Sequence, residues 1–219
     1  MANLQLYSYY RSSCSYRVRI ALNLKNLAYE TVPVHLVRDG GQQHQAAYRE
    51  RNPMRQVPTL VVGDDSIGQS MAIIEYLEQV HPEPALFPKD PVAAAKVRAF
   101  CEMINAGIQP VQNLSVLLYL ENEMGATGKR GKWGNYWIHR GFEALEQSLQ
   151  HSAGRFCFGD TVTAADCFLI PQVYNALRFK VDMAQFPTIA RINETCLAME
   201  AFDAATPANQ PDTPADYGS

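Results

Sequence analysis

Ser12, Ser13, Cys14 and Ser15 place three hydroxyls and a thiol in a row where a strand-like stretch stops and a helix-like one begins. At such a junction the free N–H groups of the first helical turn and the positive end of the helix dipole converge, so the pattern suits an anion. The simpler reading is that these serines only cap the helix, since Ser is a preferred N-cap residue anywhere. Cys14, Val18, Ala21 and Leu22 follow i, i+4, i+7, i+8 spacing, which gives the helix one buried face and leaves Arg17, Arg19 and Lys25 for other surfaces.

The turn needs a sheet behind it, and the flanking residues supply one. Residues 4–8 alternate apolar and polar as a strand does, residues 29–34 read as a second strand, and residues 38–51 read as a loop with a weak helix ending before Asn52-Pro53. Residues 58–62 form a third strand, Gly63-Asp64-Asp65 a tight turn, and residues 66–68 a fourth strand. Ser70 then caps a helix whose stripe of Ile73, Ile74, Leu77 and Val80 runs up to His81-Pro82. The order β-α-β-α-β-β-α over residues 1–82 predicts a small α/β domain with a mixed sheet.

Residues 82–91 hold four prolines in ten positions, so 83–91 read as a linker that neither helix nor strand would tolerate. Long helical patterns follow over 92–123, 133–151 and 164–179, with two short ones between 187 and 204, which makes 92–206 an all-helical domain. Thr163-Ala164-Ala165-Asp166 is a capping box that specifies the entry to one of these helices. Pro110 and Pro171 should kink or interrupt theirs, and 207–219 read as an extended tail.

The 219 residues suit one large or two small domains, and 47% hydrophobic residues are ample for a core. A net charge of −3 without a basic run argues against nucleic acid as a partner. No apolar run approaches the roughly 20 residues of a membrane span, and the first residues lack a signal-peptide layout, so a cytoplasmic location is expected. Five scattered cysteines without a Cys-x-x-Cys pair, and five scattered histidines, predict reduced thiols and no metal.

An α/β half, a proline linker and an all-α half with a capping box resemble the cytosolic glutathione transferases over essentially the whole chain, with a thioredoxin-like first domain. The stretch Ser12-Ser13-Cys14-Ser15-x-Arg17-Val18-Arg19-Ile20-Ala21-Leu22 resembles the zeta class in particular. Asn52-Pro53-x-x-Gln56-Val57-Pro58-Thr59-Leu60, Gln69-Ser70-x-Ala72-Ile73-Ile74-Glu75, Gly107-Ile108-Gln109-Pro110-x-Gln112-Asn113-Leu114, Arg178-Phe179-Lys180-Val181-Asp182 and Gln210-Pro211-Asp212-Thr213-Pro214 reinforce it. Tyr16 stands where that class often carries Trp.

The resemblance implies glutathione as cofactor, a small diacid as substrate and a homodimer. It implies cis-to-trans isomerisation of maleylacetoacetate to fumarylacetoacetate in tyrosine and phenylalanine breakdown. Maleylpyruvate isomerisation, glutathione transfer to haloacids and a non-enzymatic binding role are the alternatives. Ser12 is the expected thiolate donor, with Ser13 and Cys14 lining the same spot and Cys14 as nucleophile the competing idea. Gln69 and Ser70 would take the γ-glutamyl end, a cis Val57–Pro58 bond the cysteinyl backbone, and Gln43 the glycine end. Gln109, Asn113 and Ser115 lie at spacings that can share a helix face towards the thiol. Arg178 is the first choice for the substrate carboxylate, as a planar bidentate clamp, with Gln109 and Arg11 next.

Overall fold

The computed structural model describes residues 4–217, which form two compact units, one of residues up to 85 together with those from 198 onward and the other of 86–197. The outermost residues of the first and last sequence segments, 1–3 and 218–219, lie outside the described residues. The first unit begins with β1 (Leu4–Ser8), α1 (Ser13–Leu24) and β2 (Glu30–Pro33), continues through α2 (Ala46–Arg51), and closes its sheet with β3 (Thr59–Val62) and β4 (Asp65–Gly68) before α3 (Ser70–Val80). The sheet order is β2-β1-β3-β4. β1 runs parallel to β2 and antiparallel to β3, with Leu6 opposite Leu60, and both leucines are fully buried. An inner β1 therefore delivers the residues after Ser8 to one end of a packed sheet.

Helix α1 is not the one-faced amphipathic helix expected from its spacing. Nine of its twelve residues are buried, Arg17 and Arg19 among them. Arg17 donates through Nη1 to Ser70 Oγ at 3.1 Å, and Arg19 can be inside because all three of its nitrogens find fixed acceptors, the condition for burying a charge. Arg19 donates through Nε to the Ala205 carbonyl at 3.0 Å, through Nη1 to Ser8 Oγ at 3.2 Å and through Nη2 to the Tyr10 carbonyl at 3.0 Å. Lys25, just past the end of α1, is also buried, donating to Glu78 Oε2 and to the carbonyls of His81 and Pro84 at 2.7, 2.7 and 3.0 Å.

The second unit holds α4 (Pro91–Glu102), α5 (Leu114–Asn122), α6 (Arg130–Ser152), α7 (Ala164–Arg178) and α8 (Pro187–Leu197), with Ile138, Phe142, Phe168, Ile189 and Ile192 in its core. Asp90 caps α4 by accepting from the Ala93 N–H at 2.8 Å, with Pro91 in the first helical position, where its missing N–H removes nothing. The capping box at Thr163 and Asp166 is present, and Asp166 also accepts from the Cys157 N–H at 2.9 Å. Pro171 does not interrupt α7, which runs through it to Arg178. Twelve of that helix's fifteen residues are buried, so tertiary packing outweighs the one missing rung.

The C-terminal boundary also differs from the one expected. The second unit ends at Leu197, whereas α9 (Glu200–Asp203) and the following turns join the first unit and not a helical domain reaching 206. Hydrogen bonds explain why: besides Arg19 to Ala205, Asn23 Nδ2 donates to the Ala201 carbonyl at 3.0 Å. Arg19→Met keeps an unbranched apolar stem and leaves three acceptors without their donor. It is expected to lower the unfolding free energy by about 3–5 kcal/mol in urea denaturation, and a loss below about 1 kcal/mol would show that water replaces the guanidinium.

Candidate active site

Four residues, 9–12, join β1 to α1. Ser12 is the N-cap, with φ −70° and ψ 117°, and its Oγ accepts from the Ser15 N–H at 3.2 Å. Its own N–H donates to the Tyr9 carbonyl at 2.9 Å. The capping reading is thus right as far as it goes. Accepting a bond at Oγ, however, leaves the hydroxyl proton for another acceptor, so capping and anion binding are compatible. Ser13 is buried, Cys14 is half-buried, and no acidic residue sits in the first turn to offset its positive end.

Tyr9 and Tyr10 are buried in one apolar cluster with Val34, Tyr48 and Val57. That cluster joins the loop before Ser12 to Val57, whose bond to Pro58 is cis. Burial pushes the Tyr9 phenol up to about 12 against the opposing pull of the Arg11 guanidinium, so this neighbour of Ser12 stays protonated at neutral pH. Arg11 is half-buried, with its guanidinium carbon 6.0 Å from the rings of both Tyr9 and Tyr10.

Ser70 does not cap α3. The N-cap is Gln69, held at φ +68°, a left-handed conformation unusual for a residue with a side chain. Ser70, buried in the first helical position, accepts at Oγ from Arg17 Nη1 at 3.1 Å. Arg17 lies five positions beyond Ser12, so α1 carries at one end a hydroxyl and deeper in the fold the cation that fixes the start of α3. Gln43 is buried and donates through Nε2 to the Leu36 carbonyl at 3.1 Å, while its Oε1 is buried without a hydrogen-bond partner among the described residues. Gly41, at φ +98°, is what admits it: a Cβ there would lie 2.5 Å from Gln43 Nε2.

In the second unit the shared helix face of Gln109, Asn113 and Ser115 is not formed. The chain leaves α4 through a wide π-type turn, Met103–Ile108, and a 3-10 turn at Pro110–Gln112, so Pro110 separates Gln109 from the other two. Asn113 is the N-cap of α5, accepting at Oδ1 from the Ser115 N–H at 3.2 Å. Arg178 is exposed at the end of α7, its guanidinium carbon 5.6 Å from the Tyr174 ring and 5.9 Å from that of Phe179. Ser12, Ser13, Cys14, Arg11, Gln43, Val57, Pro58, Gln69 and Ser70 belong to the first unit, and Gln109, Asn113, Ser115 and Arg178 to the second. A groove of about 690 Å³ beside α2, lined by Tyr7, Tyr48, Arg51 and Ser66 among others, contains none of them.

Sequence reading missed the bond from Arg17 to Ser70 and the contact of Tyr10 with the C-terminal segment. A signal for the first was present: Arg17 and Arg19 flank Val18 and interrupt a run of apolar residues, and charge inside such a run asks for a buried partner.

A mixed sheet with a polar helix start at the end of an inner strand, and a separate helical unit, define a thioredoxin-like domain with an appended all-α domain. Residues 6–85 match the family described as glutathione S-transferase, N-terminal domain, and residues 138–203 that described as glutathione S-transferase, C-terminal domain. The chain belongs to the glutathione S-transferase family. It is 53% identical over 213 residues to the maleylacetoacetate isomerase of Rattus norvegicus, covering 96% of this chain and 95% of that one. Among solved structures it resembles a bacterial zeta-class maleyl pyruvate isomerase in its holo form, with 41% identity, a TM-score of 0.92, and 96% of this chain and 100% of that one covered. It also resembles the maleylacetoacetate isomerase of Anaeromyxobacter dehalogenans with dicarboxyethyl glutathione and citrate in its active site, at 47% identity and a TM-score of 0.88, covering 98% and 95% of the two chains.

The residues of this chain fit glutathione. The tripeptide brings carboxylates, peptide groups and a thiol, and the first unit offers two helix starts for anions, at Ser12 and Ser70. It also offers an acceptor without a partner, Gln43 Oε1.

Proposed function

We propose that this protein is a glutathione-dependent cis–trans isomerase of maleyl diacids, converting maleylacetoacetate to fumarylacetoacetate in the breakdown of tyrosine and phenylalanine. One observation carries the mechanism: Ser12 holds the N-terminal end of α1 by accepting the Ser15 N–H, which keeps its hydroxyl proton available to an anion at the positive end of the helix. Its likeness to curated isomerases over nearly the whole chain supports the choice of reaction. A homodimer and a cytoplasmic location rest on the same family likeness, with gel filtration and cell fractionation as their tests.

Glutathione, when bound, supplies a thiolate that adds to the conjugated double bond, lets it rotate as a single bond, and leaves again, so that none is consumed. The chain's residues then have separate tasks. Ser12 donates to the sulfur, with Ser13 and Cys14 beside it. Ser70, its oxygen fixed by Arg17, and Gln69 receive the γ-glutamyl carboxylate at the start of α3, as one more anion at a helix N-terminus. Val57 would pair with the cysteinyl backbone, and Gln43 would take the glycine end by accepting the glycyl N–H at its Oε1, unpartnered among the described residues. Arg178 clamps a substrate carboxylate through its planar fork, with Gln109 and Arg11 next as donors for the charge that develops on the carbonyl next to the alkene, while Gln109, Asn113 and Ser115 are assigned to glutathione. Maleylpyruvate isomerisation, the same chemistry on a shorter diacid, is the second reading, favoured by the TM-score of 0.92 to such an enzyme.

Purified protein incubated with glutathione and a panel of maleyl diacids and dichloroacetate is expected to yield trans products while the glutathione concentration stays constant. Stoichiometric glutathione loss with every active compound would replace the isomerase reading with a transferase one. In the same assay Ser12→Ala is expected to reduce turnover at least about tenfold, since a bond to an anionic acceptor is worth about 1.5–3 kcal/mol, whereas Cys14→Ala keeps substantial activity. Abolition of turnover by Cys14→Ala alone, in folded protein, would reverse their roles. Arg178→Lys keeps the charge and loses the fork, so it is expected to raise the Michaelis constant for the diacid more than that for glutathione. An equal rise in both, or none, would make Arg178 structural.

A further inference from the structure

We propose that Asp212, near the C-terminus, is a positioning residue for Ser12, and that the segment around it straps the active-site loop in place. The inference rests on the donor role of Ser12 given above. Tyr10 stands two positions before Ser12, and both of its backbone polar groups are held by side chains from outside the loop. Its N–H donates to Asp212 Oδ2 at 2.9 Å, and its carbonyl accepts from Arg19 Nη2 at 3.0 Å. Because Ser12 in turn donates to the Tyr9 carbonyl, pinning the peptide on either side of Tyr10 fixes where the N-cap sits. The bond from an amide to a carboxylate is of the stronger, charge-assisted kind.

The strap is itself tied down. Arg19 Nε anchors the Ala205 carbonyl, Gln210 Nε2 donates to the carbonyls of Ala204 and Thr206 at 2.9 and 2.8 Å, and the Thr213 hydroxyl donates to the Pro207 carbonyl. The ring of Tyr217 meets that of Tyr10 edge-on, with centroids 5.5 Å apart and planes at 89°. Asp212 is held there at a cost, since its Oδ1 is buried without a hydrogen-bond partner among the described residues.

A second feature separates positioning from electrostatics. A carboxylate's charge can only disfavour a thiolate, so any help that Asp212 gives the chemistry comes through the Tyr10 bond. Asn can accept the same bond without the charge. The full-length protein therefore separates the two effects. Asp212→Ala is expected to lower turnover about tenfold and to raise the midpoint of bound-glutathione ionisation, read by thiolate absorbance against pH, by about one unit, with the Michaelis constant for the diacid within about threefold of wild type. Asp212→Asn is expected to restore turnover to within about threefold and to leave that midpoint no higher than in wild type. Tyr217→Ala, which loosens the strap and leaves the carboxylate, should move both readouts in the direction of Asp212→Ala by a smaller factor. Hydrogen exchange of the amides in 10–12 supplies an arm independent of activity, with faster exchange expected in Asp212→Ala than in Asp212→Asn. Wild-type turnover and thiol ionisation in Asp212→Ala, or equal impairment by Ala and Asn, would overturn the assignment. Absence of thiol ionisation in the wild type would instead sink the role given to Ser12, and the exchange comparison would still decide the strap.

Discussion

A buried guanidinium organises the first unit. Moving a cation into a protein interior is costly unless its donor nitrogens find fixed acceptors, and the guanidinium fork demands acceptors in several directions at once. Arg19 meets that demand with the end of β1 at Ser8, the Tyr10 carbonyl in the loop that leads to Ser12, and Ala205 in a segment nearly two hundred residues later. The charge therefore enforces a geometry that apolar packing alone would leave loose: strand end, reactive loop and C-terminal segment must meet around one planar group. Arg17, two positions earlier, does the same for the start of α3 through Ser70. One helix thus carries a polar N-terminus, a fixed link to a second helix start, and a tie to the C-terminal segment.

Those cations also mark where sequence reading stops. Periodicity is a local signal, and the strand-turn-helix opening, the hairpin of β3 with β4 and the capping box at Thr163 were all legible because neighbours in sequence create them. The burial of Arg17 and Arg19 was not, because the acceptor of Arg17 and one of the three of Arg19 lie far along the chain, and a helix enclosed on every side has no amphipathic stripe to read. Gln69 is a similar case. Ser is the commoner N-cap, so propensity favoured Ser70, yet the bond that Arg17 makes to Ser70 accompanies a start one residue earlier, with Gln69 in a left-handed conformation. Pro171 shows the converse, a local breaker outweighed by enclosure.

The site residues divide along the same line. Ser12, Ser70 and Asn113 sit at the starts of their helices, where hydroxyl and amide side chains are recognisable from type and position. Gln43 depends on Gly41, whose φ of +98° removes the Cβ that would collide with it, and a Gly-Gly-Gln-Gln run gives no hint which glutamine turns inward. Tyr10 is harder still, since it acts through its backbone. A main-chain N–H has no signature in the sequence, and its partner, Asp212, lies in a stretch whose composition reads as an unpacked tail.

The choice of a neutral hydroxyl as the proposed sulfur partner has a consequence for the reaction. A thiol of pKa about 8.5 is brought to about 6.5–7.5 by a bond of about 1.5–3 kcal/mol, near ambient pH. Intrinsic nucleophilicity falls as thiol pKa falls, with a Brønsted coefficient of about 0.4–0.5, so a stronger partner would give more thiolate but a weaker attacker. An isomerase using sulfur as a temporary addend needs both halves of that balance, because the group that adds must also leave. A cation in direct contact with sulfur would favour departure over attack. In the proposed arrangement Arg17, bonded to Ser70, would act at the carboxylate end of the cofactor instead, and Ser12 with the helix start would supply the milder pull that a reversible addition requires.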